Sequence, residues 1–311
     1  MALAEAPTRS LRPRKRGDGI VKAAVTPAED LVSRARLDGA VSFVVANAAT
    51  GQILESYSPD LPQPPASTAN ALTSLYAMDK LGLEHRFTTR VLATGPIING
   101  RLEGDLILAG GGDPTLDTDG LGALADQLME AGLREVAGAF RIWTGALPEV
   151  YEIDPEQPDH VAYNPGVGGL NLNYNRVNFK WERKGSSYDV TMGAPSARYQ
   201  PDVEIAEMQV IDRAGPIYTF AAGAKKDNWT VARGALGSGG SRWLPVRKPG
   251  LYSGEVFQTL MLFKGIQLRG EILPALDAEG TVIASHESQP LKDVLKDMLE
   301  YSTNATAEIV G

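Results

Sequence analysis

The sequence predicts a mixed α/β (α+β) protein, because segments with helical and with strand-like patterns alternate in blocks. Thirty-three glycines and twenty prolines are spread over 311 residues, which indicates many turns and many short strands. Hydrophobic residues make up 43% of the chain, a share typical of folded globular proteins. This length suits two domains or one domain with insertions.

The first ordered elements are predicted just after a basic N-terminal stretch. Residues 28–37 have the apolar spacing of a short amphipathic helix. Two apolar runs, at 41–46 and 53–57, flank a turn-rich segment and therefore predict a β-hairpin.

Residues 67–81 then follow a helical pattern. Leu72, Leu75 and Tyr76 have the i, i+3, i+4 spacing of one apolar face, and Gly82 stands where a helix would end. Because this segment is apolar on most sides, we expect a helix buried in the middle of a domain.

The remaining elements are predicted in the same way. Residues 119–132 read as an amphipathic helix, and residues 163–249 contain a series of strand-like pieces. Two further helices are expected at 254–266 and 288–301, the second with Ser288 as its N-cap.

Charge argues against one class of partner. The formal net charge is -8, whereas nucleic-acid binding needs a basic face, so no nucleic-acid partner is expected. Residues 1–27 form a local basic arm that lacks apolar periodicity, as a solvated, flexible segment does. The alternative is a peripheral contact with an anionic membrane surface or cell-wall polymer. The arm's basic residues are Arg9, Arg12, Arg14, Lys15 and Arg16.

Several chemistries are excluded by composition. The chain has no cysteine, so it has no disulfide and no thiolate nucleophile. Its three histidines are far apart in sequence, so we expect neither a metal site nor a cofactor. The sequence has no apolar run of membrane-spanning length. Residues 2–4 have the A-x-A pattern that closes a signal peptide, so an export signal is expected upstream.

Ser67 is the first candidate catalytic residue. It lies in P-P-A-S-T-A-N, residues 64–70, at the start of the predicted helix. A serine attacks a carbonyl only when a base removes its proton, and a lysine three residues later would share its helix face. Asn70 occupies that position, and an amide cannot accept a proton at useful pH. The segment therefore has the pattern of a nucleophile helix without its base.

A second candidate is the S-x-N tripeptide Ser302-Thr303-Asn304, at the break between two apolar helical segments. A hydroxyl and an amide two residues apart on a tight loop can face one cleft. Taken alone, the tripeptide also fits a helix cap. Residues 304–306 match a glycosylation sequon as well.

Two glycine-rich segments have simpler interpretations. Residues 110–114, G-G-G-D-P, lack the lysine and the spacing of a phosphate-binding loop and read as a glycine turn. Residues 163–175, Y-N-P-G-V-G-G-L-N-L-N-Y-N, likewise read as turn and strand rather than as a ligand loop.

Taken together, these segments resemble a known family. The stretches at 64–82, 104–116, 169–183 and 298–311 occur in the order found in the D-alanyl-D-alanine carboxypeptidase/endopeptidase family, the class C low-molecular-mass penicillin-binding proteins. The resemblance covers nearly the whole chain from about residue 30.

The resemblance implies a β-lactamase/transpeptidase-like domain, an antiparallel sheet plus a helical subdomain, interrupted by inserted β-rich domains. We assign the transpeptidase-like domain to 28–90 and 250–311. The inserted β-rich domain is assigned to 91–118 and 163–249, and a small α/β insertion to 119–162.

It also implies site residues. Ser67 would be the nucleophile, Ser302 the proton relay and Asn304 a ligand of the substrate amide, while Asn70 departs from the family's lysine base. The family's K-T-G strand would follow Asn304, and the sequence reaches Gly311 without it, which suggests a C-terminal truncation.

Three functions stay open at this point. The first is a periplasmic serine-type carboxypeptidase or endopeptidase that hydrolyses peptidoglycan stem peptides through an acyl-enzyme and binds β-lactams. The second is a catalytically inactive module of the same fold that binds peptidoglycan or β-lactams. The third is a fragment with artificial ends.

Overall fold

The computed structural model describes residues 26–311 in two compact units, one ending at Pro65 and the other beginning at Ala66. The basic arm predicted at residues 1–27 lies outside the described residues, apart from its last two. The helices are α1 Ala28–Ala35, α2 Asn70–Leu81, α3 Thr118–Glu130, α4 Pro249–Phe263, α5 Leu291–Tyr301 and α6 Asn304–Val310.

The strands of the same described region are short. They are β1 Phe43–Ala46, β2 Ile53–Tyr57, β3 Thr88–Ala93, β4 Ile97–Ile98, β5 Arg101–Leu102, β6 Leu106–Ala109, β7 Glu135–Val136, β8 Phe140–Trp143, β9 Arg176–Lys184, β10 Ser187–Gly193, β11 Ala206–Ile211, β12 Tyr218–Ala222, β13 Asp227–Ala232, β14 Gly239–Pro245, β15 Leu273–Pro274 and β16 Thr281–Glu287. The predicted mixture of helices and short strands is confirmed.

The first unit contains α1 and the hairpin of β1 and β2, both as predicted. The two strands pair antiparallel, and Phe43 lies opposite Tyr57 with the ring centroids 6.2 Å apart. Asn47 begins the turn, where its Oδ1 accepts a hydrogen bond from the backbone N–H of Ala49 at 2.9 Å. Such a local bond is why asparagine favours turns.

The second unit is built around a five-stranded mixed sheet with the order β15-β8-β6-β3-β16. β6 and β8 are parallel, while β3 pairs antiparallel with β6 and with β16. Strand β6 is buried at all four positions, as expected of a strand covered on both faces. Helices α3 and α4 pack against each other, α3 also against β16 and α4 against β8.

The five-stranded sheet combines strands from three of the domains predicted from the sequence. Its strands come from segments assigned to the transpeptidase-like domain, the β-rich insertion and the small α/β insertion, because hydrogen bonding joins β3, β6, β8 and β16 in one layer. The division of the chain into those domains stays a prediction.

The β-rich character of residues 163–249 is confirmed. One three-stranded sheet has the order β10-β9-β14 and another the order β11-β13-β12. Aromatic pairs fill the space beside these strands. The rings of Phe179 and Trp181 stack at 5.0 Å, and those of Phe220 and Trp229 lie 4.7 Å apart. Phe179 and Trp229 are fully buried, and side chains of this size contribute a large apolar area to the core.

Helices α2, α5 and α6 form a separate layer, which we call the three-helix cluster. α2 packs against both α5 and α6. The shared apolar core consists of buried residues from these helices and from the segment before β3, namely Ala77, Phe87, Leu291, Leu295, Met298 and Val310.

The prediction that α2 is buried on most sides is wrong for the described part of the chain. Leu72, Leu75 and Tyr76 are 71%, 60% and 53% exposed. The side that packs carries small residues instead, with Ser74 and Ala77 both buried. Small side chains let neighbouring helices approach closely, so the packed face does not coincide with the face that has the largest apolar side chains.

The predicted N-cap at Ser288 is also wrong. Helix α5 begins at Leu291, after the extended residue Pro290. A residue that precedes proline is disfavoured in the helical region, so the helix cannot start as early as Ser288. The Ser288 hydroxyl instead accepts a hydrogen bond from the backbone N–H of Phe87 at 3.0 Å. It thereby ties the chain before β3 to the chain before α5.

Candidate active site

Ser67 lies in a 3₁₀ turn, Ala66–Ala69, that runs directly into α2. Ala69 already has helical dihedral angles, φ -60° and ψ -24°, so the turn and the helix form one uninterrupted segment. Ser67 is exposed. It therefore stands at the positive end of the α2 dipole, where partial charge favours an anion or a developing oxyanion.

Asn70 is the first residue of α2 and is buried, with 8% of its surface exposed. It follows Ser67 by three residues, one turn of a 3₁₀ helix, so the two positions lie on nearly the same side. Its backbone carbonyl accepts a hydrogen bond from the Ser74 hydroxyl at 2.7 Å. The position expected for a base is thus occupied by a neutral amide inside the fold.

The S-x-N tripeptide forms the connection between α5 and α6. Ser302 ends α5 in the left-handed region, with φ 54° and ψ 50°, and is exposed. Thr303 is extended, and its carbonyl accepts a hydrogen bond from Ala307 N–H at 3.0 Å. Asn304 is the first residue of α6 and is half-buried. The predicted break between two helices is confirmed.

Packing places both candidate motifs on the three-helix cluster. Ser67 immediately precedes α2, and Ser302–Asn304 joins the two helices against which α2 packs. The residue that follows α6 lies close to α2, since a Cβ added at Gly311 would be 3.4 Å from Thr73 Cγ2. The chemical roles of Ser67, Ser302 and Asn304 stay predictions.

The asparagine turn, residues 173–175, contacts α6 and lies in a segment for which the sequence predicts only turn and strand. Asn173, Tyr174 and Asn175 have φ values of 52°, 56° and 54°, so three successive residues are left-handed. Asparagine tolerates this region, whereas tyrosine rarely adopts it. The alternating asparagines of 163–175 are the signal in the sequence, but they do not by themselves specify three successive left-handed residues.

Hydrogen bonds fix this asparagine turn from two sides. Asn173 Nδ2 donates to Thr118 Oγ1 at 2.9 Å, at the start of α3. Asn175 Oδ1 accepts from Leu172 N–H at 3.0 Å, and its Nδ2 donates to the Gly166 carbonyl at 2.8 Å. Buried amides that use both donor and acceptor atoms hold a backbone shape firmly.

Tyr174, in the middle of the turn, packs against a cluster that contains Val167, Ala305 and Ile309. Its ring also lies 5.0 Å from the guanidinium carbon of Arg176. Burial raises the pKa of the Tyr174 phenol above its ordinary value, so the group is neutral at physiological pH. Arg176 is partly desolvated in the same place, and burial lowers its pKa.

Two observations concern what the described residues lack. In the part of the chain from 26 to 311, histidine and carboxylate side chains form no group suited to hold a metal ion. Across that range, every helix is too short or too polar to cross a membrane.

Comparison with known proteins places these features in a family. The family described as D-Ala-D-Ala carboxypeptidase 3 (S13) matches residues 26–311. A D-alanyl-D-alanine carboxypeptidase of Actinomadura sp. (strain R39) is 28% identical over 295 residues, 88% of this chain and 54% of that protein. The D-alanyl-D-alanine carboxypeptidase DacB of Haemophilus influenzae is 24% identical over 293 residues, 90% of this chain and 60% of that protein.

The fold agrees with a solved structure. Penicillin binding protein 4 (dacB) from Haemophilus influenzae superposes with a TM-score of 0.68 at 23% identity, covering 86% of this chain and 60% of that one. The transpeptidase-like fold with additional β-rich parts is thereby confirmed. The chain spans between half and two thirds of the length of these relatives. Because the family match extends from residue 26 to residue 311, the chain belongs to the D-Ala-D-Ala carboxypeptidase 3 (S13) family.

Proposed function

We propose that this chain carries the nucleophile of a serine-type D-Ala-D-Ala carboxypeptidase/endopeptidase that acts on peptidoglycan stem peptides. The observation that supports this most is the position of Ser67, exposed in the turn that enters α2, within a chain of the S13 family. The S-x-N tripeptide on the adjoining helices supports the same function.

In the proposed reaction, Ser67 Oγ bonds to the carbonyl carbon of the penultimate D-alanine. The peptide C–N bond breaks, and the serine proton passes to the leaving amine through Ser302. Water then attacks the ester, the C–Oγ bond breaks, and the proton returns to Ser67. Asn304 holds the substrate amide during both steps. The α2 N-terminus favours the developing negative charge.

Asn70 limits the rate of this reaction. General base catalysis contributes about 10² to 10⁴ in rate, and a buried neutral amide supplies none of it. This observation favours a second candidate function, an inactive module that binds peptidoglycan or β-lactams without turning them over. Both candidates use the same surface around Ser67.

We also propose an exported, periplasmic location, where peptidoglycan is the available substrate. β-Lactams are the proposed inhibitors, because their strained amide opens on a serine and leaves a covalent adduct. A peripheral contact of the basic arm with membrane or cell wall stays a proposal for residues outside the described range.

Labelling with a fluorescent penicillin tests the function. We expect a slow covalent adduct on the chain that disappears in Ser67→Ala and persists in Ser186→Ala, which removes an exposed serine elsewhere. Reversible binding without an adduct would support the binding module instead. An adduct that survives Ser67→Ala would show that Ser67 is not the nucleophile.

A further inference from the structure

The asparagine turn, residues 173–175, contains an unfavourable backbone conformation at a bulky residue. Tyr174 has φ 56° and ψ 29°. The left-handed region costs an L-residue about 1–2 kcal/mol, and only glycine, asparagine and aspartate enter it routinely. Such a conformation persists only where the surroundings enforce it, and it is concentrated at functional sites.

Hydrogen bonds of Asn173 and Asn175 fix the backbone at Tyr174, so the turn does not need the Tyr174 side chain. Asn173 and Asn175 use their side-chain amides to fix the turn against α3 and against the preceding loop. The Asn173 carboxamide oxygen also accepts from Thr118 N–H at 3.2 Å. For these bonds the residue between the two asparagines need not be aromatic.

The Tyr174 side chain lies beside α6. It packs on the cluster that contains Ala305 and Ile309, two α6 residues one helical turn apart, and the asparagine turn contacts α6. Ala305 is 4% exposed and directly follows Asn304. Aromatic rings contribute large contact area with few rotatable bonds, so they fix a neighbouring backbone well.

The ring also contacts Arg176. The guanidinium carbon lies 5.0 Å from the Tyr174 ring and 5.4 Å from the Trp243 ring. Trp243 belongs to β14, which pairs with β9. The ring therefore packs against α6 and also contacts Arg176, whose guanidinium reaches Trp243 of the β-rich region.

We infer that Tyr174 is a positioning residue for the segment Ser302–Asn304, which it holds in place by packing its ring against Ala305 and Ile309. The catalytic meaning of this role rests on the proposed function. The structural part does not, because it concerns only the order of the start of α6.

Amide hydrogen exchange of the start of α6 tests the structural part. Ala307 N–H bonds to the Thr303 carbonyl, so its exchange reports on the first turn of the helix. Tyr174→Asn removes the ring and inserts a residue that tolerates the left-handed region. We expect about tenfold faster exchange at residues 307–311, because less packing opposes the local opening of the helix when the ring is absent. Tyr174→Phe keeps the ring and should exchange like the unaltered chain.

A matched control is Tyr163→Asn, which changes an exposed tyrosine in the same sequence segment and should leave exchange unaltered. The inference is overturned if Tyr174→Asn leaves residues 307–311 unchanged. It is also overturned if exchange rises equally in β9, since that would indicate a general loss of stability.

Penicillin labelling tests the catalytic meaning. If the chain is labelled at Ser67, Tyr174→Asn should lower the labelling rate about tenfold and Tyr174→Phe should restore it. Unchanged labelling despite faster exchange would contradict a positioning role. If the unaltered chain forms no covalent adduct with penicillin, the proposed function fails. Hydrogen exchange still decides, in that case, whether Tyr174 orders the start of α6.

Discussion

Ser67 is exposed and Asn70, three residues later, is buried, although both belong to one uninterrupted helical segment. The proposed nucleophile thus faces solvent, while the position where a base would stand lies within the fold. A charged side chain at residue 70 would have to be desolvated, which lowers the pKa of a lysine toward the range of a useful base. An asparagine at residue 70 avoids this desolvation cost, but it cannot act as a base.

The packed face of α2 can be tested by two substitutions. Ala77 is 1% exposed, so Ala77→Leu should overfill the three-helix cluster and reduce the free energy of unfolding by about 1–3 kcal/mol. Leu75→Ala changes the exposed face and should alter stability by less than about 0.5 kcal/mol. Urea denaturation of both variants measures the difference. Equal losses would show that the Leu75 face is also packed in solution.

The asparagine turn makes a second prediction. Asn175→Ala removes the bonds to Leu172 N–H and the Gly166 carbonyl and places a Cβ residue at φ 54°. We expect a loss of about 3 kcal/mol or more in the free energy of unfolding. Asn175→Gly loses the same bonds without the left-handed strain, so it should be about 1 kcal/mol more stable than the alanine variant. Denaturation midpoints that rank alanine above glycine would contradict this account.

These two cases show where sequence reasoning succeeds and where it fails. Periodicity predicted the helices around Leu124 and Leu295 because their apolar faces are the faces that pack. It failed at α2, where small residues such as Ala77 form the contact and larger ones such as Leu75 remain exposed.

In the candidate site too, the sequence identifies some residues and misses others. Ser67 and the S-x-N tripeptide are short local patterns, so the sequence identifies them as candidates. Tyr174 packs against a cluster that contains Ala305, more than a hundred residues later in the chain, and the turn around it is bonded through Asn173 to Thr118. Such long-range contacts have no periodic signature, so the sequence of 163–175 predicts only turn and strand.

Asp113, in the glycine turn before α3, gives a prediction about pH. Its Oδ1 accepts from Thr115 N–H at 2.8 Å, while its Oδ2 is buried without a hydrogen-bond partner among the described residues. Burial raises the pKa of the Asp113 carboxyl above its ordinary value. The native state therefore binds this proton more tightly than the unfolded state, and stability falls as pH rises from the ordinary aspartate pKa through the raised one.

Asp113→Asn removes the titrating group while keeping its size. The quantity to compare is the free energy of unfolding of the variant minus that of the unaltered chain. We expect this difference to be about 1 kcal/mol larger at pH 7 than at pH 3. Thermal unfolding of both proteins across this range measures the effect. A stability difference that is the same at both ends of the range would rule out a buried, titrating Asp113.

The most direct test is the rate of penicillin adduct formation in Asn70→Lys, followed by intact-mass spectrometry, with the modified peptide identified by proteolytic mapping. The lysine restores a base beside Ser67, so we predict an adduct on the peptide that contains Ser67, formed about 10² to 10⁴ times faster than in the unaltered chain. The double variant Asn70→Lys with Ser67→Ala should form none. An adduct in the double variant, or labelling of Asn70→Lys no faster than that of the unaltered chain, would contradict the assignment of Ser67 as a nucleophile that lacks its base.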